Sequence, residues 1–459
     1  MLAPAQQNPL LTGPILSTLV RLSLPNMAAM VATSLVAIAE TSYVGALGTP
    51  ALAGLALVFP IVMLQQMMSG GAMGGGVSSS VARALGAGDL QRADALAMHA
   101  AIIGLAAGLS MAALILVFGP RLFALLGGRA AALEQGVAYA RVYAFAIAGV
   151  WMTNTLASIV RGAGNMRVPS TTIFVAAAAQ ITIGGAFGLG LGPFPRLGMG
   201  GVATGQVASF TAAAAFLLWF LMSGRARVQL AWAGFTLDGA LFRDILRVGG
   251  LACISPLQSV ATVLVLTRLV AQFGVPALAG YGIGARLEFL LIPISFAIGV
   301  ACVPMVGMAI GANDVPRARQ VAWTGGLASA AMLGAVGLFF AACPALWSRM
   351  FTSDPAVLES ARVYLVWSGL AYAFYGLGLC LYFASQGAGR VLGPVLAGTV
   401  RLGVVIAGGW WLAARGAPQW TMFVVVAISM VAYGLTTAAT VWLTPWGRRR
   451  IFTERRSRA

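Results

Sequence analysis

Two glutamates stand inside long apolar stretches of the chain, and they are the strongest candidates for chemistry. Of the eleven carboxylates in the sequence, only Glu40 and Glu288 lie well within such stretches. A charged carboxylate at the centre of a membrane costs about 2.5–3.5 kcal/mol on insertion scales, so a residue of this kind faces a cavity or a partner. There it can exchange a proton or bind a cation, which is the chemistry that an ion-coupled carrier needs.

Glu40 is the stronger of the two candidates because other polar side chains follow the same helical face. Thr33 and Tyr43 are spaced so that they lie on roughly the same side of a helix as Glu40. The alternative role for Glu40 is structural: a neutral, hydrogen-bonded glutamate that joins two helices. We favour the functional role.

Uncharged polar residues in the apolar stretches of the first half can complete a site around Glu40. These are Asn154, Gln180 and Thr204. Taken singly, each is more typical of a hydrogen bond between helices. Together with Glu40 they would supply oxygens for a bound cation or a relayed proton, so we predict that these four residues form a cation-coupling site.

A second set of polar residues is predicted for the substrate cleft or for ion pairs. It consists of Tyr43, Gln258, Arg286, Glu288 and Tyr372. Arg286 and Glu288 are two residues apart and do not face each other on a helix, so either one can pair with Arg268 or with another helix. For Glu288, an ion-pair role and a direct role in transport both stay open.

The elements that must position these residues are membrane-spanning helices. Hydrophobic residues make up 60% of the chain and charged residues only 8%, and a helix crosses the hydrocarbon core with about 20 mostly apolar residues. The apolar runs are too long, and alternate too little, for a β-barrel. Twelve spans are predicted, at 22–47, 51–78, 95–118, 136–160, 168–192, 199–223, 247–272, 277–310, 319–343, 361–385, 391–414 and 419–444. The fold class is therefore an all-α integral membrane protein.

The chain repeats itself with an offset of about 225 residues. The string TPALAG at 49–54 returns as VPALAG at 275–280, and GAGDLQRA at 86–93 returns as GANDVPRA from Gly311. Because the matches keep their order, they indicate that one half was duplicated. We expect two pseudo-symmetric six-helix lobes around a central cleft, with the substrate site between them.

The repeat and the spans define the expected domains. The predicted linker contains Leu237, Leu241 and Ile245 at helical spacing, which indicates an amphipathic helix on the cytoplasmic surface. The boundaries are 1–223 for the first lobe, 224–246 for the linker, 247–444 for the second lobe and 445–459 for a basic cytoplasmic tail.

The distribution of basic residues indicates how the chain lies in the membrane. All 28 basic residues are arginine, and the net charge is +17. Eighteen of them fall in segments on one side, six of these after Trp446, and five fall in loops on the other. Basic residues accumulate on the cytoplasmic side, so we expect the inner (plasma) membrane with both termini in the cytoplasm. Contact with anionic lipid explains the charge, and no nucleic-acid partner is expected.

The remaining reactive residues are interpreted as structural. The cysteines Cys253, Cys302, Cys343 and Cys380 lack metal-ligand spacing and are expected to be buried free thiols. We predict no cofactor or metal beyond a proton or Na⁺ as the coupling ion. The only histidine, His99, is expected at the interface in contact with solvent. The glycine-rich segment 70–76 lacks the Lys-Ser/Thr of a phosphate loop and favours close helix packing.

The chain resembles the multidrug and toxic compound extrusion (MATE) family of efflux transporters along nearly its whole length. The resemblance rests on Leu24-Pro25, ETSYVGALG at 40–48, PALAG at 50–54, RALGAGD at 83–89, GAGN at 162–165, ARLE at 285–288 and GAND at 311–314. It implies twelve helices in two lobes, a central cleft, and export of cationic or amphipathic compounds driven by proton or sodium entry.

The chain also departs from the family pattern at several acidic positions. Family members usually have Asp in the first span where this chain has Glu40, and an Asn followed four residues later by Asp in the fifth span, where this chain has Gln180 and Gly184. Acids of some relatives in the seventh and tenth spans correspond here to Gln258 and to the Tyr372–Tyr375 region. These departures concentrate the coupling hypothesis on Glu40.

Taken together, these features predict a monomeric, ion-coupled antiporter that exports amphipathic and often cationic small molecules by alternating access. The protein is not expected to be an enzyme. One alternative is a flippase for lipid-linked oligosaccharide or polysaccharide, whose cleft would need basic residues for pyrophosphate; the positions of Arg268, Arg286 and Arg401 discriminate. An intramembrane enzyme is disfavoured, because it would need His with Asp, paired Asp or a metal set.

Overall fold

The computed structural model describes residues 9–231 and 235–446, and in these residues twelve helices are long and apolar enough to cross a membrane. This confirms the predicted all-α fold; the tail at 447–459 lies outside the described residues. The helices are α1 (Ile15–Leu47), α2 (Thr49–Gly86), α3 (Leu90–Leu125), α4 (Ala130–Gly162), α5 (Arg167–Leu189), α6 (Gly198–Met222), α7 (Gly239–Ala271), α8 (Val275–Gly311), α9 (Val315–Ala342), α10 (Pro355–Gly387), α11 (Leu392–Ala414) and α12 (Gln419–Leu443). Two short helices, Pro9–Thr12 and Pro344–Ser348, precede α1 and follow α9.

The packing of the first six helices is repeated in the second six. Helix α4 packs against α2, α3 and α6, and α10 packs in the same way against α8, α9 and α12. Helix α1 lies against α5, as α7 lies against α11. Each lobe therefore surrounds one central helix, α4 or α10, as a duplicated half requires.

The repeated GAGD and GAND strings form the same turn in both halves. Gly88 and Asn313 occupy equivalent positions with φ of +78° and +60°, a conformation open to glycine and tolerated by asparagine. The following aspartates cap the next helices: Asp89 Oδ1 accepts from the Arg92 backbone at 2.9 Å, and Asp314 Oδ1 accepts from the Arg317 backbone at 3.0 Å. In both halves the repeated string therefore forms a turn with a left-handed residue followed by a helix cap.

The glycine-rich segment of α2 is a packing surface. It contains a π-helical turn at Met67–Met73, followed by an α-helix from Gly74. A Cβ atom on Gly74 would lie 2.6 Å from Ser158 Oγ, and one on Gly76 would lie 2.5 Å from the backbone nitrogen of Gly249. These neighbours lie on α4 and α7, so small residues allow three helices to approach closely.

The predicted linker helix is the beginning of α7. This helix has two parts, Gly239–Ala252 and Ile254–Ala271, which meet at Cys253. The first part packs on α2 and α3; Ile245 is fully buried there, whereas Leu237 is exposed. Of the predicted apolar stripe, Ile245 therefore packs on protein, and the helix continues into the rest of α7. Residues 232–234 lie outside the described residues.

Two expectations for single residues were wrong. His99 is buried and not solvated: its Nδ1 lies 2.7 Å from the Ala95 carbonyl oxygen, and its Nε2 accepts from the Asp238 backbone at 2.9 Å. The linker folds over the start of α3 and covers the ring with Phe235 and Phe242. Cys343 is exposed, whereas the other three cysteines are buried, because it follows the last residue of α9.

Candidate functional site

Glu40 lies in a polar cluster inside the first lobe. It sits on α1 and is only 8% exposed. Its Oε1 accepts two amide hydrogen bonds, one from Gln180 Nε2 of α5 at 2.8 Å and one from Gln206 Nε2 of α6 at 3.2 Å. Oε2 has only a 3.5 Å contact with the Gln206 amide. One carboxyl oxygen is therefore fixed, and the other is able to carry a proton or contact a cation.

Two tyrosines of α4 complete this cluster. The Tyr139 hydroxyl accepts from Gln206 Nε2 at 3.1 Å, and the Tyr143 ring stacks on Tyr139 with centroids 6.1 Å apart. Within the described part of the chain, the Tyr143 hydroxyl and Gln206 Oε1 are buried without a hydrogen-bond partner. Buried polar atoms are normally satisfied, so these two oxygens are available to an ion or to water beside Glu40.

Glycines allow the helices of this cluster to come together. A Cβ atom on Gly205 of α6 would lie 2.6 Å from the Gln180 carbonyl oxygen and 2.8 Å from the backbone nitrogen of Gly184 in α5. Neither backbone atom can move aside as a flexible side chain could. Gly184, which stands where the family pattern has an acid, thus contributes close packing of α5 on α6 and brings Gln180 and Gln206 to one carboxyl group.

The structure does not bring Asn154 and Thr204 to Glu40. Asn154 Nδ2 donates to Ser69 Oγ at 2.8 Å, and so binds α4 to the π-helical turn of α2. The Thr204 hydroxyl donates to the Gly201 carbonyl oxygen of its own helix at 2.6 Å. Tyr43 is partly buried one turn beyond Glu40, with its ring against Gly185. Of the predicted cation-coupling set, only Glu40 and Gln180 are in contact.

Sequence reasoning missed Gln206, Tyr139 and Tyr143. Gln206 lies two residues after Thr204, on another face of the same helix, and a long amide in an apolar span was the available signal. Tyr139 and Tyr143 are spaced by four residues, which places both on one face of α4. That face can be identified only when the neighbours of α4 are known.

Glu288 lies in a second cluster, in the other lobe. Its carboxyl oxygen accepts a very short hydrogen bond from the Tyr364 hydroxyl, which joins α8 to α10. The Tyr364 ring packs edge-on against Tyr281 at 5.4 Å and against Phe423 at 5.2 Å. The Tyr372 hydroxyl accepts from Ser368 Oγ at 3.3 Å. Glu288 thus has a tyrosine as its direct partner and not an arginine.

Arg286 and Gln258 of the second lobe have partners other than Glu288, whereas Arg401 lies near enough to Glu288 for the two charges to interact. The Arg286 guanidinium lies 5.2 Å from the centre of the Phe351 ring, and that of Arg401 lies 4.8 Å from the centre of the Tyr375 ring. Gln258 Nε2 donates to Thr399 Oγ1 at 2.8 Å and joins α7 to α11. Arg286 and Glu288 do not pair, in agreement with their two-residue spacing.

The two clusters share a duplicated tyrosine. An offset of 225 residues places Tyr139 on Tyr364, at equivalent points of the central helices α4 and α10. Tyr139 reaches Glu40 through Gln206, whereas Tyr364 binds Glu288 directly. The acids themselves come from α1 and α8, which are not equivalent helices. Each lobe therefore holds one glutamate near the same tyrosine position, Glu40 buried and Glu288 partly buried, and each glutamate is connected to its tyrosine by a different route.

The fold and the buried polar clusters define a polytopic membrane protein of the transporter class, and comparison with known proteins identifies its family. The MatE family model matches the chain twice, at residues 25–184 and 253–411. The chain belongs to the MatE family and is a transporter and not an enzyme. The two matches fall in the two halves that the internal repeat defines.

Curated relatives and solved structures cover most of the chain. It is 27% identical over 380 residues to the "FAD transporter" of Shewanella oneidensis, covering 82% of each chain. It is 26% identical to the "Probable multidrug resistance protein NorM" of Thermotoga maritima, covering 82% of this chain and 81% of the relative. A solved MOP superfamily transporter from Pyrococcus furiosus, described as having a binding pocket of reverse polarity, superposes with a TM-score of 0.87 at 22% identity, covering 95% and 98%. This superposition shows that the two proteins share the fold.

Proposed function

We propose that this transporter exports amphipathic small molecules in exchange for protons or sodium ions, and that Glu40 is the coupling residue. The observation that carries the proposal is the geometry of the Glu40 carboxyl group, with Oε1 held by two glutamine amides and Oε2 left for a proton or cation. The unpartnered oxygens of Tyr143 and Gln206 beside it support the same role. The relatives described as multidrug proteins support the substrate class.

Coupling requires that the ion and the substrate favour different conformations. An ion with equal affinity for both states shifts no equilibrium, whatever its affinity. Glu40 is joined to three other helices of its lobe, so a change in its protonation or ion binding alters contacts on α5 and α6 and, through Gln206, on α4. We propose that the two lobes alternate access to the central cleft in response.

The first prediction tests this role of Glu40. In proteoliposomes, Glu40→Gln should bind substrate but lose most of its gradient-driven export, because glutamine keeps the shape but neither titrates nor carries charge. Efflux is measured separately under an imposed pH gradient and an imposed sodium gradient, which also identifies the coupling ion. Glu359→Gln is the control, since Glu359 is exposed and pairs with Arg362 in its own helix. Unchanged exchange in Glu40→Gln would remove Glu40 from the mechanism.

A second candidate substrate class is an anionic aromatic compound. One relative is described as an FAD transporter, and a flavin dinucleotide carries phosphate charge next to flat rings. Arg401, with the Tyr375 ring beside it, offers a cation and an aromatic face in the second lobe. Export of FAD by the wild type, lost in Arg401→Gln while export of a cationic dye persists, would select this class.

The flippase alternative gains no support from the arginines. Arg286 lies on the Phe351 ring and Arg401 lies on the Tyr375 ring, and these two aromatic residues belong to different elements. Arg268 is exposed. A site for pyrophosphate would need such residues to converge on one point. We therefore retain small-molecule export as the function.

A further inference from the structure

The two lobes meet closely where α2, α8 and α10 end, at Gly86, Gly311 and Gly387. We call this part of the molecule the basic end. Gly86 of α2 lies directly against the backbone of Met308 in α8, and Gly311 lies directly against the backbone of Arg83. There is no room for a Cβ atom at either glycine, so the contact is made by backbone against backbone. Alternating access has to separate this contact, and polar groups beside it can control the separation.

A chain of three polar contacts crosses this junction. Asp244, in the first part of α7, accepts from Arg83 Nη2 of α2 at 2.8 Å. Arg83 Nη1 in turn donates to Ser79 Oγ. Ser79 Oγ donates to the carbonyl oxygen of Gln386 in α10 at 2.5 Å. The first lobe and α7 are thereby linked to the last turn of α10 in the second lobe.

The chemistry of the last turn of α10 favours this arrangement. The helix ends at Gly387, and the carbonyl groups of a final turn carry partial negative charge. Arg83 Nη1 lies 3.3 Å from the position of a Cβ atom on Gly389, so the guanidinium is at the end of α10 as well as at Ser79. The Arg83 side chain is 17% exposed, and shielding from water strengthens such charge-assisted contacts.

The duplication shows that this contact is specific to one of the two equivalent junctions. An offset of 225 residues places Met308 on Arg83 and Arg161 on Gln386. At the equivalent junction, between α8 and α4, Met308 therefore stands where Arg83 stands at the basic end. Arg92 also contacts Asp244, at 3.2 Å, and belongs to α3 of the first lobe, so it supports Asp244 without crossing between lobes.

We infer that Asp244, Arg83 and Ser79 form a polar lock that holds the two lobes together at the basic end. Ser79 makes the crossing hydrogen bond, and Asp244 is a positioning residue that keeps the Arg83 guanidinium on Ser79. Loss of any of the three weakens closure of the basic end and leaves the Glu40 cluster untouched. The inference rests on the proposed alternating access, which uses this junction as its gate.

The test measures the distance across the basic end in the full-length protein. Spin labels are attached to cysteines at Gln91 and Gln320, exposed positions near the starts of α3 and α9, after the native cysteines have been replaced. Without substrate, Ser79→Ala and Asp244→Asn should raise the population of long distances about five- to ten-fold relative to wild type, the range expected for loss of one ordinary hydrogen bond. Arg243→Gln, at an exposed position next to Asp244, is the matched control for the loss of a charge and should leave the distances close to those of wild type.

The outcomes separate the lock from the proposed function. Unchanged distances in both Ser79→Ala and Asp244→Asn would overturn the lock, even if wild-type distances respond to ions and substrate. Equal opening in Arg243→Gln would assign the effect to surface charge and also overturn the lock. If the distances in wild type do not change when ions or substrate are added, the proposal of alternating access is wrong. Opening of the two variants without ligand would still support the lock. Ser79→Ala removes one oxygen atom and adds no bulk, and its melting temperature in detergent is measured to verify that the variant is folded.

Discussion

At the scale of single residues, the coupling hypothesis depends on what surrounds the Glu40 carboxyl group. An isolated glutamate in an apolar span says only that a partner or cavity exists. Its actual partners are the amides of Gln180 and Gln206, which donate hydrogen bonds to Oε1 and leave Oε2 with a single contact at 3.5 Å. A carboxyl group with one oxygen held in this way can bind a proton or an ion reversibly at the other.

Gln206 gives a prediction that separates this cluster from the set expected from sequence. Gln206→Leu removes a donor to Glu40 and to Tyr139, and should lower gradient-driven export about ten-fold and change its pH profile, because one or two hydrogen bonds of about 1 kcal/mol each are lost. Thr204→Val, two residues away, should have little effect, since Thr204 bonds only its own helix. The assay is the same proteoliposome efflux, measured across external pH. The reverse order of the two effects would contradict the observed geometry.

At the scale of elements, close packing of α5 on α6 determines whether the site can form. Both glutamines reach Glu40 because Gly184 and Gly205 have no side chains, so the backbones of α5 and α6 approach more closely than larger residues would allow. The position that carries an acid in the family pattern is used here for helix packing. The loss of that second carboxylate and the close packing of α5 on α6 have the same cause, a glycine at position 184.

Gly205→Ala should therefore damage both folding and transport. The added methyl group would lie 2.6–2.9 Å from backbone atoms of Gln180 and Gly184, and overpacking of this kind costs about 1–3 kcal/mol. We expect a lower melting temperature in detergent and weaker export. Gly200→Ala on the same helix is the matched control: its methyl group would lie 3.4 Å from Val142, an ordinary contact. Equal melting temperatures for the two variants would show that α5 and α6 can separate without cost.

At the scale of the whole molecule, the duplication repeats the packing of helices and the capped turns, whereas the chemistry differs between the halves. Tyr139 and Tyr364 are equivalent, yet they serve acids from non-equivalent helices. Arg83 holds Ser79, which bonds across the lobes, at one junction, and Met308 takes the place of Arg83 at the other. The two lobes are therefore alike in how their helices pack and different in their charged contacts.

Orientation in the membrane can be tested with the chain's own cysteines. The arginine distribution predicts that the loop after α9, with the exposed Cys343, faces away from the cytoplasm. A membrane-impermeant maleimide added to right-side-out vesicles should label Cys343, and Cys343→Ser should abolish the labelling. In that background, Gln91→Cys should react only after permeabilisation. Labelling of Gln91→Cys in sealed vesicles would reverse the predicted topology.

The amino-acid sequence by itself determined the twelve helices, the internal repeat and the presence of a buried acid at Glu40. These follow from local properties: apolar run length, recurring strings and the cost of a carboxylate in lipid. The resemblance to a family followed from the same strings. Of the residues predicted to join Glu40 in a cation-coupling site, Gln180 is hydrogen-bonded to it, whereas Asn154 and Thr204, chosen on polarity alone, bond other groups.

Only the tertiary structure decided which polar residues meet. Whether Gln206 or Thr204 faces Glu40 depends on the rotation of α6, which is set by the contact of Gly205 with α5. His99 is buried because the linker folds over it, and Arg83 reaches α10 because glycines let the lobes touch at the basic end. Contacts between residues a hundred or more positions apart depend on how whole helices pack, and no local pattern in the chain specifies that.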